Sequence, residues 1–442
     1  MHHVNRLLWQ SVARVLIGIG LLGVLLLSVG PSDFGAYTGC LATASMFGAA
    51  SCLGFDRVML ISDPDEYAAL RKVCVLIAVV LGAAAGATCW LVSIQFATRD
   101  MGRESIDVAG QWAIGFNGFF QLVGTAAILC TSQFLIREGR FNAANLCLSL
   151  PSTLVLGAQV ISVRVFGSSV SSLATGAIVG WISILLVVFF WSINSATLPS
   201  CPVRPVLQRW WKPATIRMGT GIFSNARTQL GYLVILLSTP FGAELLAAVR
   251  LFDTGGSAVS GVLERSWGTI LASITCSEGV EAFEVKSDAL IDDFARWIRK
   301  LSIFCLPGLG VAAFVGKTFV PDQWSFILEV APPLLVAIAI AAQMAWLERL
   351  FEYQRRFSDG LWTELLITVT LLSSYSLLLP TATSITACAW MFGGIYASAM
   401  LARGHASMKR GVSRSTSRGL LKTVASVASL AGLIVWTAQV MS

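Results

Sequence analysis

The sequence predicts an all-α, polytopic membrane protein made of two similar six-helix halves, with an additional transmembrane helix at the C-terminus. Three observations carry that expectation. The 442 residues are 55% hydrophobic and only 12% charged, with a mean hydropathy of +0.74, too apolar for a soluble core inside a solvated surface. Apolar runs of about twenty residues, each able as a helix to cross about 30 Å of hydrocarbon, fill most of the chain. The third is an internal echo. Phe34-Gly35-Ala36 opens an apolar stretch that closes on Asp56-Arg57, and Phe241-Gly242-Ala243 opens another that closes on Glu264-Arg265. Segments alike in opening, close and length are what a duplicated half leaves in sequence.

Taken in order, the expected spans are 9–29, 35–60, 73–97, 109–136, 143–165, 169–191, 214–239, 243–274, 300–320, 325–348, 359–379, 383–402 and 420–440. The N-terminus, MHHVNRLLWQSVAR, leads into an apolar run up to Val29 without an A-x-A cleavage signal, so the first reads as a retained span. With a cytoplasmic N-terminus, the inner loops hold Arg71, Lys72, Arg137, Arg140, Arg204, Arg209, Lys212, Arg403, Lys409 and Arg410 among others, while the outer loops hold Arg99, Arg103 and Lys317. That asymmetry is the positive-inside signature. It makes the net charge of +7 a topology signal and leaves no reason to expect a nucleic-acid partner. The connection around Pro199, Pro202, Pro205 and Trp210-Trp211 divides the chain into an N-terminal half, 1–193, a cytoplasmic linker, 194–213, and a C-terminal half, 214–403. Residues 404–442 then supply a basic cytoplasmic loop and the extra helix. Between 276 and 300, Leu290, Phe294, Trp297 and Leu301 recur at helical spacing among charges, the pattern of an amphipathic surface helix or a solvated connector.

Pro151, Pro307 and Pro332-Pro333 interrupt spans and mark bends. Gly82-x-x-x-Gly86 permits close helix approach. Gly18-x-Gly20-x-x-Gly23 matches a dinucleotide fingerprint in letters only, because it lies inside an apolar span with no preceding strand. Gly316-Lys317-Thr318 lacks the glycine spacing of a phosphate loop, so no nucleotide site is expected. The three histidines, His2, His3 and His405, fall outside the expected spans, which removes a buried histidine relay. The ten cysteines lie mostly inside apolar runs without C-x-x-C spacing and read as small buried hydrophobes. No metal, disulfide or cofactor is expected.

A charge inside hydrocarbon costs several kcal/mol, about 2.5 to 3.5 at a helix centre, so the deep arginines are the candidate functional residues. At about 1.5 Å per residue, Arg14 lies about 10 Å inside the inner face, Arg227 near mid-membrane with Asn225 and Gln229 beside it, and Arg250 about 10 Å from the outer face. Arg57 and Arg265 close their spans at the inner interface. A guanidinium keeps its charge and offers a planar fork of donors, which suits a diphosphate. Arg57 and Arg265 also fit ordinary interface anchors, and Arg250 also fits a local pair with Asp253 one turn on. Asp56, Asp253 and Glu264 are the candidate ion-coupling acids.

The segments PSDFGAYTGCLATASMFGAASCLGFDR, IREGRFNAANL and FGAELLAAVRLFDTGGSAVSGVLERSWGTI, with the twelve-span body, resemble the polysaccharide flippases of the multidrug/oligosaccharidyl-lipid/polysaccharide exporter superfamily. That resemblance implies six plus six helices around a central cationic cavity that opens alternately to each face. It also implies movement of undecaprenyl-diphosphate-linked oligosaccharide across the cell inner membrane for surface polysaccharide biosynthesis. By the same resemblance Arg14, Arg57 and Arg250 match cavity arginines. The implied partners are the lipid-linked diphosphate, membrane lipids and glycan polymerase or export proteins. A cation-coupled multidrug exporter of the same superfamily is the alternative, and it requires an acidic cavity. A membrane glycan polymerase or ligase requires a large outer loop, and the outer loops are short.

Overall fold

The structure is a computed structural model. It describes residues 17–253 and 322–408, apart from 19, 49, 60, 61, 63, 99–105, 139, 194–200, 240, 346, 348–350 and 352–356, together with Asp293 and Arg296. Every regular element among the described residues is helical. The chain divides into two compact units, Met1–Leu236 and Leu237–Ser442.

In the first unit, α1 (Gly20–Leu26) and α2 (Pro31–Gly48) meet at a bend of 119°. The proline that starts α2 needs no hydrogen-bond partner for its nitrogen at that position. Gly20 and Gly23 sit in α1, so the apparent dinucleotide fingerprint is helix. The span expected over 35–60 is not one helix. It stops at Gly48, turns through Leu53 (φ 47°) and Gly54 (φ 78°), and resumes as the single turn α3 (Phe55–Val58). The break has a packing cause. Gly54 lies against the backbone of Ala214, where any Cβ would collide with the carbonyl oxygen.

Helix α4 (Pro64–Thr98) starts well before the expected span and takes in Arg71 and Lys72. It packs along α5 (Val108–Arg137) as the G-x-x-x-G spacing predicts: a Cβ on Gly86 would stand 2.8 Å from the Gly115 carbonyl oxygen. The next span is α6 (Phe141–Leu150), a wide π-helical turn (Pro151–Val155) and α7 (Leu156–Phe166). The turn falls where Pro151 removes a donor and crowds the preceding carbonyl. Helix α8 (Val170–Ile193) returns against α5 and α7. Its Gly176 and Gly180 form a second small-residue contact that the sequence analysis passed over. Built Cβ atoms there would lie 2.6 Å from Gln159 Cα and 2.6 Å from Val155 Cα. Gly176→Val is expected to cost about 1–3 kcal/mol by forcing α7 and α8 apart. Thermal unfolding in detergent should show that loss, with Gly157→Ala, which meets nothing within 4 Å, as the silent control.

The loop expected up to residue 213 is helical from Val203, so α9 (Val203–Ser238) includes Arg209, Trp210-Trp211 and Lys212. Pro205 is tolerated because it lies in the first turn, where backbone donors have no intrahelical acceptor. In the second unit the described helices are α10 (242–253), α11 (Ile327–Ala345), α12 (Phe357–Leu378) and α13 (Ile385–Met408). Pro332 and Pro333 lie inside α11. Helix α13 runs past the expected end at 402, so Arg403 and His405 belong to its last turns and not to a loop. Spans 300–320 and 420–440, Pro307 and the amphipathic positions Leu290, Phe294, Trp297 and Leu301 lie outside the described residues.

A side-chain cap fixes the start of α5. Asp107 Oδ1 accepts from the Gly110 amide at 2.8 Å and from Ser171 Oγ at 2.7 Å, so one carboxylate caps α5 and ties it to the start of α8. Those donors hold the Asp107 carboxyl below its usual range. A depressed folded-state value contributes stability above the ordinary carboxylate value, about 3.9, and that stability is lost as pH falls through the folded value. Asp107→Asn should therefore lower the melting temperature at neutral pH and flatten the acid limb of the profile, so that the difference from wild type closes below about pH 4.

Candidate functional site

The expected site residues are placed unevenly. Arg227 is buried in α9 at 5% exposure, with Nη2 donating to Ser224 Oγ at 3.4 Å. Asn225, two residues earlier, donates Nδ2 to the Ser45 carbonyl of α2 at 3.2 Å, which ties α9 to α2. Gln229 is half-buried. Arg250 pairs with Asp253 through Nη1 at 3.6 Å, the i,i+3 pairing that the sequence allowed. Asp56 is buried in α3, and Arg57 is the next residue of that turn. Arg14, Glu264, Arg265 and the side chain of Arg57 lie outside the described residues.

The first unit also holds a neutral polar seam along α2. Tyr37 Oη accepts from Asn117 Nδ2 at 2.9 Å and from Gln159 Nε2 at 2.8 Å, joining α2 to α5 and α7. Gln159 Nε2 also reaches the Leu173 carbonyl of α8 at 3.2 Å. Eight residues along α2, Ser45 Oγ accepts from Gln121 Nε2 at 2.9 Å, while its carbonyl takes the amide of Asn225. Tyr37 and Ser45 fall on one face of α2, and Asn117 and Gln121 on one face of α5, because helical neighbours recur every three to four residues. Buried amides and hydroxyls that hydrogen-bond from helix to helix fix helix rotation inside hydrocarbon. This seam was invisible in sequence, where single amides in apolar runs carry no sign of their partners.

The acids buried among the described residues are Asp56, Glu66 and Glu364, and Glu66 and Glu364 join helices through basic residues. Glu66 accepts from Arg209 Nη1 at 3.1 Å and from Trp210 Nε1 at 2.9 Å, which clamps the start of α4 to the start of α9. Glu364 of α12 is bound by Arg403 Nε of α13, both almost fully buried. Arg403, expected in a basic loop, is therefore half of an interhelical ion pair. Neither pair had a local signal: 143 residues separate Glu66 from Arg209 and 39 separate Glu364 from Arg403.

Six helices among the described residues are long and apolar enough to cross a membrane, or seven if the bent pair of α1 and α2 is one span. The chain is an all-α, multi-pass membrane protein. No family model matches it, and no curated protein matches it. Solved structures do match along its whole length. A crystal structure of MATE in complex with MaL6 aligns with a TM-score of 0.59 at 14% identity, covering 97% of each chain. An inward-facing conformation of a multidrug resistance MATE family transporter of the MOP superfamily aligns with a TM-score of 0.58 at 14% identity, covering 94% of each chain. An outward-facing conformation of a multidrug resistance MATE family transporter of that superfamily aligns with a TM-score of 0.51 at 13% identity, over 97% of this chain and 96% of the other. The fold is that of the MATE transporters.

Proposed function

We propose that this chain is an alternating-access membrane transporter that carries an anionic, lipid-linked diphosphate from the inner to the outer leaflet of the cytoplasmic membrane. The transporter class is supported by the full-length likeness to a fold solved facing both inward and outward. The cargo rests on one observation, Arg227, a guanidinium buried in α9 of a unit that also holds a seam of neutral hydrogen-bonding groups. A permanent positive charge there offers bidentate hydrogen bonds to phosphate, and neutral amides and hydroxyls tolerate a sugar. In this reading Arg14, Arg57, Arg250 and Arg265 are further cargo-binding residues, and Asp56, Asp253 and Glu264 are the coupling acids. The N-terminus is cytoplasmic.

A second reading, export of cationic drugs, is favoured by the multidrug names of the matching structures. It requires an acid that meets the cargo: the buried Glu66 and Glu364 are held by Arg209 and Arg403, and Asp56 is the third buried acid among the described residues. Reconstitution of the full chain into vesicles separates the two. Outward movement of a fluorescent polyprenyl-diphosphate sugar, with no uptake of a lipophilic cation, supports the flippase. The reverse result overturns it.

A further inference from the structure

Three cysteines distant in sequence converge where the broken second span packs on α4 and α5. Cys52 lies in the turn before α3, Cys74 on α4 and Cys130 on α5. Their sulfurs all lie within 4.8 Å of one another, with Cys52 Sγ and Cys130 Sγ 3.9 Å apart, and all three residues are buried. The turn that delivers Cys52 is unusual. Leu53 and Gly54 both take left-handed backbone conformations, and Leu53 is the one non-glycine residue with positive φ among the described residues. Such strain persists where surrounding structure over-determines it. Here the restraints are visible: Gly54 against Ala214 of α9, Cys74 Sγ directed at the Cys52 carbonyl at 3.9 Å, and Tyr67 Oη donating to the Cys130 carbonyl at 3.1 Å.

We propose that Cys52, Cys74 and Cys130 form a three-sulfur binding site for a soft monovalent cation, Cu(I) in class. Geometry supports a metal over a disulfide. A trigonal ion bonded to sulfur at about 2.3 Å places its ligands about 4.0 Å apart, close to the Cys52–Cys130 spacing, whereas a disulfide needs about 2.05 Å. Donor type selects the ion, because thiolates favour soft cations. Charge selects its valence. In a buried site one deprotonated sulfur neutralises a monovalent ion, whereas a divalent ion requires two buried thiolates. The binding equilibrium is not redox: the ion enters as Cu(I) or Ag(I), and a thiol proton leaves to solvent as the sulfur binds.

The test uses the full-length chain, purified under reducing conditions, loaded with Ag(I) or with Cu(I) and gel-filtered against a competing chelator. About one ion per chain is expected to remain by elemental analysis, falling to near zero in Cys52→Ser, Cys74→Ser and Cys130→Ser but not in Cys147→Ser or Cys89→Ser. X-ray absorption of the Cu(I)-loaded wild type should show three sulfurs at about 2.3 Å. Retention unchanged in the three variants, a first shell of two sulfurs or of nitrogen and oxygen, or a Cys52–Cys130 disulfide in the reduced preparation would each overturn the site. If the serine variants fail to give a monodisperse protein, the wild-type absorption shell decides alone.

Discussion

Replacing Glu364 with Ala should destabilise the protein by about 3–5 kcal/mol, the largest stability effect expected from a single substitution among the described residues. Both partners of the Glu364–Arg403 pair are nearly inaccessible, at 1% and 4% exposure. Glu364 lies about 10 Å along α12 from its start, and Arg403 about 8 Å from the end of α13, so the pair lies inside both apolar helices and not at their tips. Removing the carboxylate leaves a guanidinium that cannot shed its proton in a medium that cannot solvate it. Replacing both partners with Leu and Met should restore much of the loss, because the intact pair carries its own desolvation cost. Thermal unfolding of the two single variants and the double variant gives the coupling. A double variant as unstable as the sum of the singles would mean that the pair does not act as a unit.

Arg227→Ala should lower flipping of a lipid-linked diphosphate about ten- to a hundredfold per folded molecule. That corresponds to losing charge-assisted hydrogen bonds of about 1.5–3 kcal/mol from a cargo phosphate. Arg227→Lys keeps the charge but loses the planar fork, so it should recover only part of the rate. The melting temperature of each variant must be read alongside transport, since Arg227 is buried and donates to Ser224. Full diphosphate transport by a stable Arg227→Ala variant would remove the basis for an anionic cargo. Cation export by that variant would favour the drug-exporter reading.

Much of the architecture was legible along the chain, and the pattern of misses is physical. Helices α5, α8 and α12 begin and end within a few residues of their expected spans, since hydropathy sums over a local window. The contact at Gly82 and Gly86 and the pairing of Arg250 with Asp253 were also readable, because both depend on neighbours three or four residues apart. The errors came where a distant element intervened. The second span breaks because Gly54 must pass the backbone of α9, and the supposed loop at 203–213 is helical, with Glu66 of α4 taking hydrogen bonds from Arg209 and Trp210.

Composition and periodicity by themselves determined that this chain is a stack of membrane-crossing helices, because the transfer of apolar surface and the pairing of every backbone donor are decided within each segment. Which helix faces which was left to tertiary structure. An almost uniformly apolar helix has no polar face to announce its rotation, so the amide seam on Tyr37 and Ser45, the Glu364–Arg403 pair and the meeting of Cys52, Cys74 and Cys130 exist only once the register between helices is set.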